Sequence, residues 1–466
     1  MALDSSEQPG PPITKFESML KTDDVYFFDA EDFEEIIHHY LNHGKVSLAK
    51  KAIKMGLQQH PNSLDIRLLD VEVMVFENEF EDAEQVLDQL QLLAPNNEEI
   101  FVQRANIQSK QDNHLGAITL LHKALELTDE VTDLYSLLGM EYLFIDDYTM
   151  ARKCFIQCLE ADPEDYASLY NTIYCYEFLD EHDGAIRYLN TYLDTNPYCQ
   201  IAWHQLGKQY YAVKMYPEAL AAFDFAIISD DSFLGAYFEK GRVLEKLGRY
   251  EEAIENYNTT TELEDPTSHA YLRIGKCYER LNRPEKARYY FYLTVHDDPL
   301  LDKGWLAITD HYLKKKDYQK AQEYIDKALS IDGENAIYWK RSGIIHKALK
   351  QVHEADFAFK QATELGNYEE DTWLLWAEIL CDSNEFETAA VVLQQGSEFH
   401  PESARMQYQL AGVYLCLQAL EKGKSTLKKA LKEDPEKYSY FENRFPEISG
   451  SVWVQRLIRE SRKASK

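Results

Sequence analysis

No apolar run in the 466-residue chain approaches the roughly 18 residues that a membrane-spanning helix requires. The seven cysteines have no paired framework spacing, which suits a reducing compartment better than a disulfide-stapled secreted fold. The opening MALDSSEQPGPP carries neither a basic n-region nor an apolar h-region, so no secretory signal is expected. Positive charge is scarce too: 49 Lys and Arg stand against 80 Asp and Glu, a formal net charge of −31. Taken whole, such a chain is repelled by nucleic acid and by anionic lipid. A phosphate-cradling glycine loop, a nucleophile elbow and a redox C-x-x-C are all missing. The expectation is a cytoplasmic, non-catalytic protein without a cofactor.

With 45% hydrophobic and 13% aromatic residues the chain can bury a large core. Its dominant signal is internal repetition. AWHQLGKQYYAVKMYPEALAAFDFAI, from Ala202, returns in grammar as AYLRIGKCYERLNRPEKARYYFYLTV from Ala270, an offset of two 34-residue periods. Units framed from Ala30 begin every 34 residues up to residue 404, twelve in all, without insertion or deletion. Position 20 of the unit is alanine eleven times, from Ala49 to Ala389, and then Gly423. Position 8 is small in eight units, among them Gly139, Gly207, Gly241, Gly275 and Gly343, whereas Ile37, Val71, Ile173 and Thr309 depart from that rule. Proline ends seven units at position 32, for example Pro197 and Pro299.

Within one unit, Trp203, Leu206, Gly207 and Tyr210 fall at i, i+3, i+4 and i+7, the apolar face of a first helix. Ala219, Phe223 and Ala226 mark the facing stripe of a second. Small residues at positions 8 and 20 then allow close helix approach, and the terminal proline stops the second helix. At the ends, residues 1–12 are expected to be disordered. Thr14 and Glu17 have capping-box spacing, with Ile13, Phe16 and Leu20 placed to cover the first unit. After Pro435, a shortened helix stopping near Pro446 and one more bearing Trp453, Leu457 and Ile458 would cap the other end, before a basic tail.

Metal-ligand spacing occurs once, in EEIIHHYLNH, where Glu35, His39 and His43 recur every fourth residue. No further ligand set accompanies it, so amphipathic packing is the expected role and no metal site is assigned. Cys154 and Cys158 share that spacing at positions where the repeat buries small or apolar side chains.

The motif W-x2-L-G-x2-Y…A-x3-F, complete at residues 203–223 and partial elsewhere, resembles the tetratricopeptide repeat (TPR) family. The resemblance covers residues 30–437, with residues 1–29 as a disordered start plus cap and 438–466 as capping helices and tail. It implies an all-α solenoid, a right-handed superhelix whose first helices line a concave groove. It further implies that positions 2, 5, 9, 12 and 13 of each unit face that groove. In the units from 200 to 369 these positions hold Lys208, Arg242, Lys246, Lys276, Arg280, Lys303, Lys314, Lys340 and Lys347 against Glu245, Glu279 and Asp310. The first three units are the reverse, with Glu31, Glu34, Asp65, Glu72 and Glu99 against Lys110. Tyr170, Tyr174, Phe178, Tyr211 and Phe238 supply aromatic surface between these zones.

The implied function is a protein-interaction scaffold that takes an extended, acidic partner segment in the basic part of the groove. The alternatives are a regulatory or structural subunit of a larger assembly, or a nucleic-acid binder, which the net charge opposes. The family's clamp for a C-terminal carboxylate, lysine at position 5 with asparagine at position 9, does not occur. Lys340 is followed at that spacing by Ile344.

Overall fold

The computed structural model describes residues 11–22, 26–263 and 267–464, and among them contains 28 helices and no strand. They form two compact units, Met1–Asp230 and Asp231–Lys466. In the first, helices begin at Ala30, Leu64, Glu98, Thr132, Tyr166 and Gln200; in the second, at Leu234, Ser268, Asp302, Ala336, Glu370 and Ala404. Every one of these helices is 13 residues long, and each pairs with the helix that follows it. The 34-residue grammar is therefore a tandem array of αα-hairpins, the all-α solenoid class.

Local signals start and stop the helices. Ser63, Asn97, Asp165, Thr267 and Ser403 stand just before first helices and accept a hydrogen bond from the backbone N–H three residues on. Such a bond satisfies one of the four amides that a helix start leaves open. At the other end the chain always turns through one left-handed residue. Residue 15 of all twelve periods, from Gly44 to Gln418, has φ between 55° and 74°. The next N–H reaches back to the carbonyl five residues earlier, as in Lys45 to Tyr40 (2.8 Å) and Gln351 to His346 (2.9 Å). That is the Schellman closure. Glycine holds the position only at Gly44 and Gly248, and six others are Asn or Asp, which tolerate positive φ. Lys214, Lys316, Lys350 and Gln418 carry the steric penalty.

Close approach within each pair is set by positions 8 and 24. A Cβ on Gly139, Gly207, Gly241, Gly275 or Gly343 would lie 2.5–2.9 Å from the ring of Phe155, Phe223, Tyr257, Phe291 or Phe359 respectively. The departures at position 8 are matched on the opposite helix. Ile37, Val71, Ile173 and Thr309 face Ile53, Leu87, Leu189 and Ile325 at position 24, never an aromatic ring. A bulky residue at position 8 is thus met by an aliphatic side chain, and a ring at position 24 by glycine. The position-20 alanines from Ala49 to Ala389 are essentially inaccessible, which leaves no room for a larger residue. Gly423 yields the same space to Leu415, whose Cγ would meet a Cβ there at 2.6 Å.

Successive pairs are also stitched. Indole N–H groups of Trp203, Trp305 and Trp339 donate to the carbonyls of Pro197, Pro299 and Gly333, each six residues upstream, at 2.7–2.9 Å. The proline position thus ends one helix and supplies an acceptor to the next.

The caps differ in detail from the sequence reading. The first helix is Pro11–Thr22, so it starts before Thr14, and Pro11 and Pro12 belong to it. The remainder of the segment expected to be disordered lies outside the described residues. Starting earlier rotates the apolar face: Met19, at 3% exposure, is buried with Ile13 and Phe16, while Leu20 is 37% exposed. At the far end, Tyr438–Arg444 and Val452–Ala464 close the second unit, burying Phe441, Val454 and Ile458. Lys424 sits over the Trp453 ring. Residues 465 and 466 of the basic tail lie outside the described residues.

Two stability outcomes follow from this packing. Gly207→Ala should destabilise by about 1–3 kcal/mol, and Phe223→Leu in the same chain should recover much of that loss. Urea unfolding of the two single variants and the double variant measures the coupling. Lys350→Gly should raise the unfolding free energy by roughly 1 kcal/mol, because glycine pays no Cβ penalty at positive φ; the same titration checks it.

Candidate protein-interaction surface

In the Met1–Asp230 unit the first helices Ala30–Asn42, Leu64–Phe76 and Glu98–Lys110 lie side by side and enclose a cleft of about 380 Å³. Leu68 and Leu69 contribute its apolar lining, and Glu34, Asp65, Glu72 and Glu99 its carboxylates. Glu34 is held above the usual glutamate range by burial and by the charges of Asp65 and Glu31. Burial also raises Glu99, against the hydrogen bond that it accepts from Gln103 Nε2 at 2.7 Å. Lys110, the groove cation of these repeats, is occupied elsewhere. Its ammonium donates to the Val75 and Phe76 carbonyls and lies 5.5 Å from the Phe76 ring centroid.

Further along the same unit the face turns aromatic. Tyr170, Tyr174 and Phe178 are exposed, and Phe178 stacks on Tyr148 at 3.8 Å. Tyr211 is half-buried against Tyr216. Phe144, which sequence reasoning passed over, is 59% exposed and stacks on His114 at 4.8 Å. The signal lay in register: position 13 of the period reads Phe76, Lys110, Phe144, Phe178 here.

In the Asp231–Lys466 unit the same position reads Lys246, Arg280, Lys314. Many of the basic side chains singled out from the sequence prove to be neutralised. Lys314 pairs with Glu279 (2.5 Å), Arg242 with Glu239 (2.7 Å) and Lys347 with Glu378. Lys340 is only 8% exposed and bonds Glu369 at 2.6 Å, so it is a packed group. In the first unit Lys208 lies 3.7 Å from Glu177. Asp310 is taken by Arg341 (2.8 Å), and Glu245 by Tyr257 (2.6 Å) and Arg273 (3.4 Å). Phe238 rests edge-on against Tyr257.

Of the nine basic residues singled out at groove positions, four keep exposed side chains with no carboxylate in ion-pair range among the described residues: Lys246, Lys276, Arg280 and Lys303. Lys276 is open to solvent yet crowded by protein; desolvation, then Arg273 and Lys303, hold its ammonium below the usual lysine range. Glu245 and Glu279 act in the opposite sense.

His43 Nδ1 bonds the His39 carbonyl oxygen at 2.7 Å, and the two rings lie 4.2 Å apart. Among the described residues no group of three or more His, Cys, Asp or Glu has metal-holding geometry. Cys154 and Cys158 are buried thiols, and burial pushes Cys154 up to about 12, away from thiolate chemistry. No helix among the described residues is long and apolar enough to cross a membrane.

A tandem array of αα-hairpins with small residues at positions 8 and 20 defines a class, the helical-repeat scaffolds. Residues 132–165 match the tetratricopeptide repeat, and residues 232–440 match the family described as the Cilia and flagella-associated protein 70 C-terminal domain. The chain belongs to the tetratricopeptide-repeat family. Solved structures with a similar fold include the APC/C hetero-tetramer Cut9–Hcn1, at 16% identity, 86% of this chain, 92% of that one and a TM-score of 0.42. A tetratricopeptide repeat protein from Parabacteroides merdae is also similar, at 16% identity, 53% and 98% coverage and a TM-score of 0.42. So is YrrB, a TPR protein with an unusual peptide-binding site, at 16%, 38% and 92%, and 0.32. No curated protein matches the chain.

The crowded carboxylates carry a stability consequence. A glutamate whose folded value is raised weakens the fold above that value, and the penalty fades as pH falls toward the ordinary glutamate range. Glu34→Gln should therefore raise the melting temperature at pH 7 and lose that advantage near pH 4, as measured by circular dichroism at both.

Proposed function

We propose that this protein is a non-catalytic interaction scaffold in which the first-helix face of residues 231–466 holds an extended, acidic segment of a partner protein. The TPR fold supports a protein partner in general. The observation that carries the acidic chemistry is the set Lys246, Lys276, Arg280 and Lys303: exposed and unpaired in a chain of net charge −31. Cations gathered on one face of an acidic protein focus positive potential where the surrounding surface repels the same ligand. Charge would then govern capture and register, and apolar side chains the residence time. A cytoplasmic setting is part of this proposal.

A second reading, a structural subunit of a ciliary or flagellar assembly, draws on the family matched by residues 232–440. The two are compatible, since a scaffold's partner can be another subunit.

Lys276→Glu/Arg280→Glu reverses two of the free cations one helical turn apart. Affinity for a fluorescein-labelled polyglutamate peptide should fall at least tenfold, about 1.4 kcal/mol, while helical content and melting temperature stay near wild type. The association rate of the wild type should fall steeply with salt. Lys360→Glu/Lys428→Glu, on second helices, is the charge-matched control; Lys327 is unsuitable there because it covers the Trp305 ring at 4.4 Å. Equal binding by the groove variant and the control would remove the acidic-peptide reading.

A further inference from the structure

We infer that the Met1–Asp230 unit carries a second docking surface of opposite chemistry, for an extended peptide that combines arginine or lysine with bulky apolar side chains. The acidic cleft supplies one half. Glu34, Asp65, Glu72 and Glu99 come from three successive first helices, and no lysine or arginine lines the cleft with them. None has a cation in ion-pair range among the described residues, whereas Glu279 and Glu378, at groove positions of the other unit, both do. Like charges crowded beside Leu68 and Leu69, with their basic neighbour Lys110 drawn off to helix-end carbonyls, leave a negative pocket whose basic lining residue is His38. A guanidinium or ammonium entering it would relieve that repulsion and lay its aliphatic stem on the leucines.

The aromatic row supplies the other half, independently of charge. Asp65, Leu69, Glu72 and Phe76 form one stripe of a single helix, so the cleft runs into an exposed ring. The equivalent register positions two and three repeats on are Phe144 and Phe178, with Tyr174 one turn before Phe178. Phe76, Phe144 and Phe178 are 63%, 59% and 58% exposed; Phe144 stacks on His114 and Phe178 on Tyr148, with the Tyr174 ring 6.2 Å from Phe178. Exposed rings held in place by an aromatic neighbour are platforms for apolar or cationic side chains. Glu72 of the cleft shares position 9 with Tyr174, and Phe76 at the end of the cleft shares position 13 with Phe144 and Phe178, all on first helices of one compact unit, so one extended segment can engage both.

The test uses the full chain and three labelled synthetic peptides, repeating Arg-Gly-Leu-Gly, Arg-Gly-Ser-Gly or Glu-Gly-Leu-Gly, followed by fluorescence anisotropy. The Arg-Leu peptide should bind saturably, at least tenfold more tightly than the Arg-Ser peptide. Glu34→Gln/Asp65→Asn/Glu72→Gln should weaken it at least tenfold, whereas Glu81→Gln/Asp82→Asn/Glu218→Gln, the same charge change on second helices, should not. Phe144→Ala should weaken it several-fold; the Arg-Ser peptide reads the same contribution without altering the protein. Equal losses in the two acidic triple variants, or equal affinity for the Arg-Leu and Arg-Ser peptides, would overturn the inference. Lys276→Glu/Arg280→Glu should leave Arg-Leu binding intact and weaken Glu-Leu binding, so each surface stands or falls by its own peptide.

Discussion

The structure depends on how closely the two helices of each hairpin approach, and that distance is set by one contact repeated along the chain. Where position 8 is glycine, position 24 carries an aromatic ring whose edge occupies the place of the missing Cβ. Where position 8 is larger, position 24 is isoleucine or leucine. A large residue at position 8 and an aromatic ring at position 24 thus never meet in one pair. Holding this spacing constant lets the 34-residue step recur without correction, since an overpacked pair would tilt everything stacked beyond it. Alanine at position 20 enforces the same constraint from the second helix.

That constraint explains what was legible in advance. A glycine or alanine that recurs every 34 residues is visible in one sequence because the repeat supplies its own comparison. The helix starts at Ala30, Leu64, Glu98 and onward fall on the frame read from Ala49 and its equivalents. The compensation by position 24 was hidden, because it appears only when two positions 16 apart are read as a contact. The left-handed turn at position 15 was hidden for another reason. Glycine marks it only at Gly44 and Gly248, and Lys214, Lys316 and Lys350 look like ordinary solvated residues. At the first cap, Thr14 and Glu17 offered a capping pattern that an earlier start at Pro11 overrode, and burial passed from Leu20 to Met19.

The pairing state of the charged side chains was not legible in the sequence. Counting charged side chains at groove positions treats each as free, yet Lys314, Lys340 and Lys347 are consumed by carboxylates of neighbouring repeats, 29 to 35 residues away. A partner at that separation is one repeat away, so pairing depends on which two positions the stacking brings opposite each other. Phe144 was missed because only the row Phe76, Lys110, Phe144, Phe178 gives it meaning.

Charges on the first helices therefore serve two ends that compete. Pairs such as Arg341 with Asp310 and Lys347 with Glu378 join successive repeats, each worth at most about 1 kcal/mol where solvent reaches it. Such pairs also cancel the field that a charged ligand would feel. A repeat protein with every groove charge paired across its stacking interfaces would be marginally more stable and electrostatically silent. Here cancellation fails at two places and in opposite senses: among Glu34, Asp65, Glu72 and Glu99, and among Lys246, Lys276, Arg280 and Lys303. Each place forgoes small stacking energies and keeps like charges together, a repulsion that an oppositely charged occupant would relieve. In a scaffold whose backbone geometry is nearly the same in every repeat, the unpaired residue rather than the fold is what distinguishes one stretch of groove from the next.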